Sequence, residues 1–180
     1  MKFNSEQLIL ELVELTRKNL NSAEKLMNKS LSELNQKPSN ERWSALECVE
    51  HLNKYGRFYM PEIEMRISES THSVEERFKS NWLGNYFSNF MKYKEKLNTM
   101  KTFPSMNPAG SQLTKAPIST FISQQQTTLE LLDKARTVSL TRTKTSITIS
   151  KWIKLRLGDT FRVVIYHNER HLIQALKAAE

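Results

Sequence analysis

The stretch LGDTFRVVIYHNERHLIQA, residues 157–175, decides what kind of fold this chain adopts. Phe161, Ile165 and Leu172 recur four and seven residues apart, and Leu176 and Ala179 continue the series. That is the spacing of one face of an α-helix, which turns once in 3.6 residues. Asp159 precedes the run and reads as the N-cap of a helix over 160–178. Within it, His167 and His171 stand four residues apart, on one face, with Cβ atoms roughly 5–6 Å from each other. They lie on the flank of the apolar stripe, which Val164 widens toward them. Two imidazoles so placed could share one metal ion, or could be ordinary surface histidines.

A second segment, RWSALECVEHLNKYGRFYMPEIEMRI (42–67), bears on that choice. Ser44 is a good N-cap, and Glu47, three residues on, completes a capping box by reaching back to the Ser44 backbone N–H. Trp43 precedes the cap and is placed to staple onto Cys48. Val49, Leu52, Tyr59, Ile63 and Ile67 form the inner stripe, and Pro61 is expected to kink the helix. His51 lies two turns in, about 120° from the centre of the stripe. Its offset matches that of His167 and His171. His72, beyond the helix in a polar stretch, reads as a surface residue.

Two more helices complete the set. Residues 4–33 carry Ile9, Val13, Leu20, Ala23 and Met27 at helical spacing, with Asn4 and Gln7 as a capping pair; Pro38 marks the polar turn at 35–41. A helix over 118–136 turns Ile118, Phe121, Ile122, Leu129 and Leu132 inward. Between the second and third of these helices runs a crossover of residues 68–116. Its 81–97 stretch, with Trp82, Tyr86, Phe90 and Tyr93 at helical spacing, predicts a short amphipathic helix packed on the bundle rather than a membrane or partner face. The β-branched SITIS (146–150) predicts a short extended piece. The fold class is all-α: a four-helix bundle with one long crossover, forming a single domain over 1–180.

Composition agrees. Four glycines and five prolines in 180 residues argue against a loop-rich β-sandwich. No run approaches the roughly 18–20 apolar residues of a membrane span. The N-terminal apolar stretch is broken by Glu11 and Glu14, unlike a secretory signal. One cysteine, Cys48, allows no internal disulfide, so a cytoplasmic setting is expected. The net charge of +8 is diffuse; Lys92, Lys94, Lys96 and Lys101 are its densest group. No groove-reading motif accompanies it, so specific nucleic-acid binding and membrane binding are not expected, and any DNA affinity should be weak and salt-dependent.

WSALECVEHL (43–52) together with LGDTFRVVIYHNERHLIQA (157–175) resembles the two signature segments of the DinB/YfiT-like superfamily: Trp-Ser and then His-Leu in the second helix, and His-x-x-Arg-His-Leu-x-Gln in the last. The likeness extends to the aromatic NWLGNYF crossover (81–87) and the long loop before the last helix. It implies a DinB-like four-helix bundle, with a divalent metal held by His51, His167 and His171. Arg170 and Gln174 match the motif as well and are candidates for cofactor or substrate binding.

Three neutral imidazoles suit zinc, nickel or iron, and three ligands leave a position for water, a thiolate or substrate. The resemblance implies either a metal-dependent hydrolase or a transferase using a low-molecular-weight thiol, acting on a small molecule. The alternative is a non-catalytic metal- or small-molecule-binding bundle. A homodimer is one arrangement open to it. No general base stands out. Glu47 is one turn from His51 but is occupied by its cap, and Glu169 points elsewhere on its helix. Cys48 reads as a core residue. No Ser–His–Asp arrangement can be traced, and the catalytic residues stay unassigned.

Overall fold

The computed structural model describes residues 1–94 and 102–180. Lys96, Lys101 and the end of the helix predicted over 81–97 fall outside them. The described residues are mostly helical. They form α1 (Ser5–Met27), α2 (Leu31–Asn35), α3 (Ala45–Ser68), α4 (Trp82–Met91), α5 (Ala116–Lys134) and α6 (Leu157–Ala178). Two small antiparallel ladders accompany them. β1 (Lys2–Asn4) pairs with β2 (Arg77–Lys79), placing Phe3 opposite Phe78, and β3 (Lys144–Ile147) forms a hairpin with β4 (Ser150–Arg156). No helix is long and apolar enough to cross a membrane among the described residues.

The four long helices each touch two others: α1 and α3 both pack against α5 and α6. Their apolar interior comes in two parts. At one end Leu8, Leu12, Ile63, Leu132, Phe161 and Ile165 cluster; at the other Leu26, Leu46, Leu52, Phe121, Leu172 and Ala175 do. On each of the four long helices buried polar residues lie between or beside these clusters: Thr16 and Asn19 on α1, His51 and Asn53 on α3, Gln125 and Thr128 on α5, His167 and Asn168 on α6. Burying a polar group is costly unless it is hydrogen-bonded. Asn19 donates to the Ile165 carbonyl at 3.3 Å, Asn53 to the Pro117 carbonyl at 2.8 Å, and Thr128 to the Gln124 carbonyl at 2.7 Å. A polar layer therefore crosses the interior at mid-height, and the histidines sit in it.

Several expectations are corrected. The helix predicted over 4–33 ends at Met27, because Ser30 and Glu33 form a capping box that starts the separate α2. Asp159 is not a cap: α6 begins two residues earlier, and Asp159 lies buried in its first turn. On α5 the inner face carries Ile118, Phe121, Gln125, Thr128 and Leu132; Leu129 falls off it and Leu131 is buried. α4 packs through Leu83, Phe87 and Met91, whereas Trp82 and Tyr86 point outward at 80% and 53% exposure. The extended piece at 146–150 is part of the larger β3–β4 hairpin.

Ser44 caps α3 as its sequence implies. The Glu47 backbone N–H donates to the Ser44 hydroxyl at 3.2 Å, and the Ser44 N–H donates to the Glu47 carboxylate at 2.9 Å. Removing such a cap costs about 0.5–2 kcal/mol. Ser44→Ala should lower the unfolding free energy by about that amount in urea titration, and weaken metal binding modestly by loosening the start of the helix that carries His51. An unchanged unfolding midpoint would refute this role for Ser44.

Candidate metal centre

α3 and α6 face each other and bring His51, His167 and His171 together. One ring nitrogen from each lies within 4.8 Å of the others. His51 Nε2 is 3.3 Å from His167 Nε2. Two nitrogens bound tetrahedrally to one ion at roughly 2.0–2.1 Å stand about 3.3 Å apart. The donor set and this spacing fit a small divalent ion.

The ring tautomers can be assigned from their partners. His51 Nδ1 lies 2.8 Å from the Met106 carbonyl, an acceptor, so Nδ1 carries the proton and Nε2 keeps its lone pair. His171 Nδ1 lies 3.0 Å from Gln174 Oε1, also an acceptor, so this ring takes the same tautomer. Hydrogen bonds of this kind commonly orient metal-binding histidines. Burial holds the pKa of His51 down to about 4 and that of His171 to about 3, where the neighbouring His51 adds to the effect. Burial and the other two rings hold His167 well below its usual value. All three rings are therefore neutral near pH 7, the form that ligates metal.

Aromatic rings wall the cluster. Trp43 lies 4.7 Å from His51 and 5.8 Å from His171 between ring centroids. Instead of serving only to staple the helix start, it braces the histidines. Tyr55, one turn beyond His51, meets His51 and His167 edge-on at 5.0 and 4.9 Å. Its i+4 spacing from His51 is the sequence signal that places it on the same helix face.

The other candidates are placed as follows. Gln174 supports His171 as described. Arg170 is half-buried and donates to the Phe90 carbonyl at 3.2 Å, tying α6 to α4. Cys48 is fully buried in the apolar cluster, which pushes its thiol pKa up. His72 is exposed. Glu169 is half-buried, and burial raises its pKa.

Glu47 reaches the site indirectly. Its buried carboxylate accepts from Ser44, from the Gly110 N–H at 2.7 Å, and from Lys37 at 2.8 Å. The Gly110 bond anchors the loop that carries Met106, whose carbonyl orients His51. Burial would raise the Glu47 pKa, but Lys37 and the two N–H groups outweigh it and hold the carboxyl below 4.5. A depressed carboxylate pKa contributes stability that is present above the unfolded value and lost as pH falls through the folded one. Glu47→Gln should therefore lower stability near neutral pH and flatten its decline below about pH 4.5. Urea unfolding at several pH values tests this, and a parallel pH profile for variant and parent would contradict it.

The geometry accords with ancestry. A family model of the DinB superfamily matches residues 12–175, and the chain belongs to that superfamily. Searches of curated proteins and of solved structures gave no match.

Proposed function

We propose that this chain is a metal-dependent enzyme acting on a small molecule, with His51, His167 and His171 as the ligands of one zinc, nickel or iron ion. The observation that carries the reading is the convergence of three buried imidazoles from two helices, with one ring nitrogen of each within 4.8 Å of the others and two of the rings oriented by hydrogen bonds. Family membership supports it. In this reading residues 1–180 form one DinB-like domain, a four-helix bundle of α1, α3, α5 and α6 with the long crossover between α3 and α5, working in the cytoplasm.

A divalent ion held by three neutral ligands acts as a Lewis acid, lowering the pKa of a water or thiol at its open position. The chain's own contribution is to fix that position. Met106 and Gln174 lock two rings in the ligating tautomer, and Trp43 and Tyr55 limit water around them. Among the described residues, no carboxylate joins the three-histidine group. A thiol activated by ionisation needs no general base during attack, whereas hydrolysis benefits from one. Transfer to a low-molecular-weight thiol is therefore preferred over hydrolysis. Arg170 and Gln174 are the proposed contacts for the thiol cofactor or substrate.

The test is a turnover screen of metal-loaded protein with several small thiols and a generic electrophile, beside a metal-stripped control. Thiol-dependent turnover that requires metal is expected. Ester or amide cleavage without thiol would favour hydrolysis. No metal-dependent turnover with any of the three metals would leave a non-catalytic binding protein.

A further inference from the structure

Beside the histidines lies a cavity of about 50 Å³. A water needs roughly 10–15 Å³ of such space, so it holds a group of only a few heavy atoms. His167 forms part of its wall. Tyr55 and Tyr59 of α3, Phe87 of α4, Val163 of α6, and Ile147 and Leu155 of the hairpin contribute to the rest. Among the described residues that line it there is no Asp, Glu, Lys or Arg. The polar residues in its lining are Tyr55, Tyr59, Thr148 and His167. A charged group entering this space would lose its hydration and meet no residue of opposite charge, in a lining that is mostly apolar. An alkyl group would gain by leaving water.

We propose that the substrate of the three-histidine site carries a compact, uncharged apolar arm that seats in this cavity and so presents its reacting end at His167. The inference rests on the metal-dependent reading, yet the cavity can be tested without any metal. The hairpin contributes to the specificity, because Ile147, Ile149 and Leu155 line the cavity together with the helix residues. Anionic or cationic arms are excluded on desolvation grounds, and bulky ring systems by volume.

The first experiment uses metal-free, tag-free protein and three probes of one shape: 3-methylbutan-1-ol, 3-methylbutanoate and 3-methylbutan-1-amine. Methyl NMR follows Ile147, Leu155 and Val163. Saturable shifts with the alcohol, and at least about tenfold weaker binding of either charged probe, are expected. Val163→Phe, which fills the cavity, should abolish the shifts. Ile149→Glu, at the 53% exposed rim, should weaken them without threatening the fold. No shifts with the alcohol, or equal binding of a charged probe, would overturn the proposal.

The second experiment uses cobalt-loaded protein. 3-Methylbutane-1-thiol should perturb the cobalt absorption bands at lower concentration than 3-mercaptopropionate, and Val163→Phe should remove the difference. Equal potency in the parent protein would overturn the link between cavity and site. Failure to take up cobalt would instead count against the metal reading, while the metal-free NMR result would still decide the cavity.

Discussion

Arg162→Ala should destabilise the protein by about 3–5 kcal/mol, the cost of stranding a buried charge. Arg162 and Asp159 are almost wholly buried, 2.9 Å apart, three residues along α6. Their contacts reach well beyond that helix. The Asp159 carboxylate accepts from the Ser80 hydroxyl at 2.6 Å, and Arg162 reaches Asn85 at 3.3 Å and lies over the Phe3 ring at 4.6 Å. The pair thus pins the β1–β2 ladder and the start of α4 onto α6. Gly84 fits this arrangement because a Cβ there would stand 2.1 Å from Asp159 Oδ2.

Burial raises the Asp159 pKa above 3.8, and Ser80 and Arg162 offset only part of that rise. Without Arg162 the pKa should climb further. A raised folded-state pKa gives stability that is fully present below the unfolded value and lost as pH rises through the folded one. The variant should therefore recover stability as pH falls toward about 4. Replacing both partners, Arg162→Met with Asp159→Asn, should cost far less than the sum of the single changes. Denaturant unfolding of the parent, Arg162→Ala, the Arg162→Met and Asp159→Asn single variants and their double variant gives these values. A loss under about 1 kcal/mol for Arg162→Ala would show that the pair does not hold the crossover.

The second large effect concerns the metal. His167→Ala should abolish stoichiometric divalent-metal binding, while His72→Ala should leave it intact. His167 is buried in the polar layer and its Nε2 faces that of His51, whereas His72 is exposed beyond α3. An open site seldom has fewer than three protein ligands, so losing one leaves only a weak, exchangeable pair. Elemental analysis after desalting reads the outcome. Equal retention of metal by both variants would remove His167 from the site.

The parts of this molecule that could be read in advance are those set by local chemistry. Ser44 and Glu47 fixed the register of α3, and with it the facing of His51. The four-residue spacing put His167 and His171 on one face. Ser30 and Glu33 carry the same capping signal just past Met27, the last residue of the apolar stripe, but they lie inside the span read as one helix over 4–33, so the break before α2 was missed. Periodicity could not tell α4 which way to face. Trp82, Tyr86 and Phe90 form a good helical stripe, yet Leu83 and Phe87 are the side chains that meet the hairpin residues Ile147 and Leu155. Nor could it show that α5 would turn Gln125 and Thr128 inward, because a polar layer matched across helices is a tertiary property. The Met106 carbonyl and the pairing of Phe3 with Phe78 involve contacts 55 and 75 residues apart. Neither has a local signature.

The most direct measurement of the central claim is the X-ray absorption spectrum of the zinc-loaded, tag-free protein. Three imidazole nitrogens at roughly 2.0–2.1 Å, with one further light atom, are expected. Fewer than three imidazoles, or a sulfur near about 2.3 Å that would bring in Cys48, would contradict the three-histidine site.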